Sequence, residues 1–132
     1  MKKEDRELLL QNLCGRLPYD VKIELTNNGG YHHENIAKKG DKTIDTLKGF
    51  TGKYFTIHHD NPLDWDWADN EIEVEDIKPY LFPMSSMTEE QYNQYVKYSA
   101  YESIDWLNKN HFDYRGLIDK GLALDATDKN IY

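Results

Sequence analysis

The sequence predicts an α+β fold, a small bent antiparallel sheet or SH3-like barrel flanked by an N-terminal helix and a long C-terminal helix. Three observations predict it. Apolar and charged residues alternate in Val21-Lys22-Ile23-Glu24-Leu25-Thr26 and again in Glu71-Ile72-Glu73-Val74-Glu75-Asp76-Ile77, the period of a half-buried strand. Two strand-like runs flank Gly49 to Gly52, as in a hairpin. Thr88-Glu89-Glu90-Gln91 is a capping box that opens a helical run, with Met87 placed to staple against Tyr92.

Taken in order, residues 4–14 place Leu8, Leu9, Leu10, Leu13 and Cys14 at helical spacing, with Glu4 and Asp5 in the first turn where the helix dipole favours them. Gly15 and Pro18 end this helix. A strand over 21–26 puts Val21, Ile23 and Leu25 on one face, and Asn27-Asn28-Gly29-Gly30 closes it as a turn. Strands over 43–48 and 53–58 form the hairpin. A fourth spans 71–77, bounded by Pro79 and Pro83. The helix from Thr88 is predicted to run to Asn110, with an apolar stripe of Tyr92, Tyr95, Val96, Ser99, Ala100, Ser103, Ile104 and Leu107. A segment over 112–126 packs back through Phe112, Tyr114, Leu117, Ile118, Leu122 and Leu124, and Asp128 to Tyr132 fray.

The chain has 132 residues, a net charge of −8 and a single cysteine. This length suits one domain, residues 1–132, with a core that needs no disulfide. The acidic balance disfavours nucleic acid, since a phosphate backbone is repelled over most of such a surface, and Lys38, Lys39 and Lys42 form too small a basic cluster to reverse this. No apolar run is long enough to span a membrane, so the expected location is the cytoplasm. Cys14 lies beside Leu10, Leu13 and Leu17 and reads as a buried small hydrophobe.

Three stretches carry a resemblance: Glu7 to Tyr19, Ile77 to Gln91 with its Lys78-Pro79-Tyr80-Leu81-Phe82-Pro83 run, and Asp105 to Ile118 with its His111-Phe112-Asp113-Tyr114-Arg115-Gly116 run. Together they resemble a group of small uncharacterised proteins encoded in gut Bacteroides-type genomes and their phages or prophages. The resemblance implies a mobile-element setting and a bacterial cytoplasm, and it assigns no catalytic role to any position. Residues 27–76 depart from the group, as expected of a region that meets variable partners.

The candidate sites follow from side-chain chemistry. Asp64-Trp65-Asp66-Trp67 sets two large rings among carboxylates, an apolar anchor inside a polar rim, so Trp65, Trp67, Asp64 and Asp66 are candidate partner contacts. Tyr98 and Tyr101 lie off the helical stripe and join them. His32, His33, His58, His59 and Asp60 are candidate ligand or metal groups, although neighbouring histidines on a strand point to opposite faces and no preset ligand spacing accompanies them. The acidic loop lacks the glycine and distal glutamate of a calcium loop. His111 with Asp105 and Asp113 has no nucleophile elbow or phosphate loop to work with, so Asp113 is expected to cap a short helix and Arg115 to pair with a carboxylate of the long helix. The expected function is non-enzymatic binding of an unknown host or phage protein, with no cofactor. The alternative is a small-molecule or nucleotide-binding protein, or a small enzyme, acting through the His and Asp residues of the middle region.

Overall fold

A computed structural model describes residues 1–29, 38–59 and 68–132. The chain divides into two compact units, Met1–Pro79 and Tyr80–Tyr132.

The first unit opens with helix α1 (Lys3–Gly15), which buries Leu9 and Leu13 together with Asn12. Each buried leucine contributes about 1.5–3 kcal/mol. Arg16 follows at the C-cap, fully buried, and donates from Nε to Asn12 Oδ1 at 2.6 Å. Cys14 is only partly buried, a correction to the sequence reading that arises because Leu9 and Leu13 face the core one turn apart and Cys14 lies at the edge of that face. Burial still pushes its thiol up, so it is protonated at neutral pH and a poor nucleophile. A 3-10 turn, Leu17–Tyr19, leads to Asp20 in the left-handed region at φ 53°.

Strand β1 (Lys22–Thr26) follows, and Val21, Ile23 and Leu25 are all fully buried, as the alternation predicts. It pairs antiparallel with β2 (Lys42–Phe50), which pairs antiparallel with β3 (Phe55–His59). The hairpin turn is held by Thr51, whose amide donates to the Tyr54 carbonyl at 2.9 Å and whose hydroxyl accepts from the Tyr54 amide at 3.1 Å. Gly52 takes φ +100°, where a side chain would be strained. A register shift between Leu47 and Gly49 bends β2, because a bulge turns the strand locally.

The predicted strand over 71–77 is two strands. β4 (Ala68–Ile72) pairs with β3, a 3-10 turn spans Val74–Asp76, and β5 (Ile77–Pro83) pairs with β1 through Ile23↔Pro79 and Leu25↔Ile77. Ile72, Val74 and Ile77 are buried, so the alternating pattern was met by a tight turn in place of continuous extension. Of the two prolines expected to bound the strand, Pro83 ends β5 and Pro79 does not. Pro79 lies inside β5, needing only to forgo its own amide donor. The strand order of this unit is β4-β3-β2-β1-β5. Arg6 donates to the Glu75 carboxylate, joining α1 to the 3-10 turn. Burial alone would raise the Glu75 carboxyl, but the Arg6 hydrogen bond, a backbone hydrogen bond and the guanidinium charge together hold it below its ordinary value.

The second unit begins at Tyr80 within β5. Its Tyr80 and Leu81 pair in parallel with β7 (Leu124–Asp125), and its Phe82 and Pro83 pair in parallel with β6 (Phe112–Asp113). The predicted long helix is two helices, α2 (Glu89–Tyr95) and α3 (Ala100–Lys109). Thr88 caps α2 with the full reciprocal box, its hydroxyl accepting from the Gln91 amide at 3.1 Å and its own amide donating to Gln91 Oε1 at 2.9 Å. The break is explained by Ser99, whose hydroxyl accepts from the Glu102 amide at 3.4 Å and caps α3. Ser99-Ala100-Tyr101-Glu102 repeats the Ser/Thr-x-x-Glu/Gln signature, and a residue with N-cap geometry cannot also be mid-helix.

With the break the apolar face moves. Trp106 and Leu107 are buried with Phe112, and Phe82, Met87, Tyr95, Tyr98 and Tyr114 pack on them. Tyr92, Val96 and Ile104, placed on the buried stripe by the sequence, are exposed, and Met87 packs on the Trp106 cluster. The segment after α3 turns on Asp113, a buried residue whose two carboxylate oxygens accept from the Leu117 and Ile118 amides, both at 2.9 Å. It caps a run of turns instead of the expected short helix. Arg115 lies over the Tyr114 ring, 5.9 Å from its centroid, and among the described residues it pairs with no carboxylate of α2 or α3. Tyr132, expected to fray, is tied down instead, because its hydroxyl reaches the Tyr80 carbonyl at 2.6 Å.

The two caps give a graded expectation. Thr88→Ala lowers stability by about 1 kcal/mol, and Ser99→Ala, whose bond is longer, by about half that. Urea midpoints check this, and an unchanged midpoint for Thr88→Ala would mean that α2 starts elsewhere.

Candidate functional site

Most of the middle-region candidates lie outside the described residues: His32, His33, Asp60, Asp64, Trp65, Asp66 and Trp67. His58 sits in β3, half-buried, opposite Thr46, and His59 follows it opposite Asp45. Among the described residues no group of three or more His, Cys, Asp and Glu side chains is placed to hold one metal ion, and no helix is long and apolar enough to cross a membrane.

Tyr98 and Tyr101, paired in the sequence reading, separate. Tyr98 is partly buried on the Trp106 cluster, and its hydroxyl accepts from Gln94 Nε2 at 3.4 Å. Tyr101 is 87% exposed, the most exposed large apolar side chain described. It is not alone on these helices. Tyr92 is 56% exposed and Val96 53%, and their i, i+4 spacing sets them side by side on α2. Ile104 lies three residues beyond Tyr101 on α3 and is also exposed. Four large apolar side chains on two adjoining helices thus face solvent, while Trp106 and Leu107 hold α3, and Tyr95 packed on Trp106 holds α2, to their own core.

A cavity of about 520 Å³ opens elsewhere in the same unit. Its walls come from β5, the start of α2, the turn after α3 and the segment 127–132. His111 forms one side. It ends α3 in the left-handed region, φ 63°, donates its amide to the Asn108 carbonyl at 3.2 Å and accepts from the Phe82 amide at 2.8 Å. This backbone turns the imidazole onto the Tyr132 phenol, with ring centroids 3.7 Å apart and planes 15° from parallel. Tyr132 also meets Phe82, 5.6 Å between centroids.

No family model, curated protein or solved structure matches the chain. Its chemistry therefore rests on these side chains. An acid/base role for His111 finds no support in Asp113, whose carboxylate is committed to two backbone amides. A broader depression of about 790 Å³ along α2 is lined by Thr88, Glu89, Glu90, Asn93, Gln94 and Lys97 alone, and offers a ligand no apolar floor. Sequence reasoning missed the cavity, because its walls come from three stretches far apart in the chain, and the one local motif among them, the Thr88–Gln91 capping box, signals a helix start and not a cavity. It also missed Tyr92, Val96 and Ile104 as surface groups, where the Ser99-x-x-Glu102 signature was the available signal.

Proposed function

We propose that the chain is a non-enzymatic interaction module of phage or prophage descent that binds a host protein through the apolar face of α2 and α3. The observation that carries this reading is the exposure of Tyr92, Val96, Tyr101 and Ile104 on helices already anchored by Tyr95 for α2 and by Trp106 and Leu107 for α3. Exposed tyrosine and aliphatic groups beside Glu102 and Asp105 supply an apolar centre with a polar surround, the usual anatomy of an interface. Tyrosine suits this role because it brings a large area with few rotatable bonds. The acidic segment with Trp65 and Trp67 is a second proposed contact. We further infer that Met1–Pro79 is an SH3-like barrel, a reading supported by the strand order β4-β3-β2-β1-β5 and by the 3-10 turn directly before the fifth strand.

Affinity capture from a Bacteroides-type lysate, followed by mass spectrometry and a direct titration of the protein captured, tests the module. Tyr101→Ala is expected to weaken that binding by about 2 kcal/mol while shifting stability by no more than about 0.5 kcal/mol, since so exposed a ring buries little core surface. Binding undiminished in both Tyr101→Ala and Tyr92→Ala would remove the helix face from the interface and leave the tryptophan segment to be tested by the same route.

A further inference from the structure

The 520 Å³ cavity of the second unit is independent of the α2–α3 face, and its lining has a chemistry of its own. We propose that it binds an uncharged planar heterocycle with a hydrogen-bonding edge, a ligand of the nucleoside class. Its volume falls within the range of small-molecule sites, which are concave, partly apolar and furnished with a few placed polar groups. The apolar part is aromatic: Phe82 and Tyr132 line it, backed by Phe112, whose ring is buried against Trp106, and ring faces favour a flat partner.

The polar part is fixed before any ligand arrives. Gln91 Oε1 accepts from the Thr88 amide at 2.9 Å, so its carboxamide is held in place with the two Nε2 hydrogens left to donate. Asn110 shows the reverse arrangement. Its Nδ2 donates to the Trp106 carbonyl at 2.9 Å, which leaves Oδ1 to accept. Among the described residues neither remaining group has another partner. Gln91 thus brings a donor and Asn110 an acceptor to one cavity, the two kinds of group that an acceptor and a donor on a nucleobase would meet. Because both carboxamides are already ordered by backbone contacts, little conformational entropy is lost when a ligand meets them.

Charge narrows the class. Lys109 and Asp128 both line the cavity, so its formal charges cancel when His111 is neutral. The first turn of α2 adds Glu89 and Glu90. A polyphosphate would meet one cation and a neighbouring acidic turn, which disfavours nucleoside di- and triphosphates against the uncharged nucleoside.

NMR titration of the full chain with adenosine, uridine and ATP tests the site. Adenosine is expected to saturate with a dissociation constant on the order of 10⁻⁴ M, shifting the amides of Gln91, His111 and Phe112, with ATP at least about tenfold weaker. Gln91→Glu separates binding from folding. Glutamate can rebuild the capping box through its own oxygen, so the variant should melt as the unsubstituted chain does, while the lost donor lowers adenosine affinity about tenfold. The proposal is overturned if no nucleoside saturates, if ATP binds more tightly than adenosine, if the shifts map away from His111 and Phe112, or if Gln91→Glu binds adenosine unchanged.

Discussion

Trp106→Ala is expected to lower stability by about 3–5 kcal/mol, the range for truncating a large buried aromatic. Trp106 is 9% exposed and stacks on Phe112, with centroids 5.6 Å apart and planes 16° from parallel. Tyr95 packs on it at 6.0 Å and is the ring that ties α2 to this cluster. Alanine would leave a void bordered by Phe112, Tyr95 and Tyr98, side chains set on different elements that cannot close together. Trp106→Phe keeps a ring and should cost about half as much. Denaturant titration followed by far-UV circular dichroism measures both. A loss under about 1 kcal/mol for the alanine variant would mean that Trp106 is not the centre of this core.

Asp113→Ala should cost about 3 kcal/mol, from the loss of two charge-assisted acceptors in a site that water reaches poorly. Leu117 is fully buried, so its amide has no ready replacement for the Asp113 oxygen. The run that Asp113 organises also delivers Leu117, Leu122 and Ala123 to the interior of the second unit. Asp113→Asn retains one accepting oxygen and turns the other into a donor that faces an amide, so it should recover less than half of the loss. Urea midpoints for the pair decide the matter. Equal midpoints for Asp113→Ala and the unsubstituted chain would show that the turn holds without its carboxylate.

These two residues also show what was legible in the sequence. Asp113 was readable as a cap because its chemistry is local and its targets lie four and five residues ahead. The same holds for α1, for the alternating face of β1, for the hairpin at Gly52 and for the Thr88 box. Trp106 was not readable as a core residue. Its burial follows from the break at Ser99, and the apolar residues from Tyr92 to Leu107 continue the helical period across that break. Period alone favours one helix, and the Ser99-x-x-Glu102 signature that marks the break was not read as a cap. The region 71–77 failed in the converse way. Burial alternates as expected through Ile72 and Val74 but next returns at Ile77, three residues on, because the chain makes a 3-10 turn over Val74–Asp76 between the two strands. The cavity had no sequence signal, since Phe82, Gln91, Asn110 and Tyr132 meet only through tertiary packing.

The brevity of α2 has a consequence for motion. The helix contains seven residues, none of them buried, and is held by its capping box and by Tyr95 against Trp106. So short a helix has almost no stability of its own in water. Its amides should therefore exchange with solvent through a local opening far cheaper than global unfolding. Because Thr88 and Gln91 border the 520 Å³ cavity, each such opening also removes part of its wall. An occupant bound to Gln91 is therefore expected to slow hydrogen exchange throughout that turn.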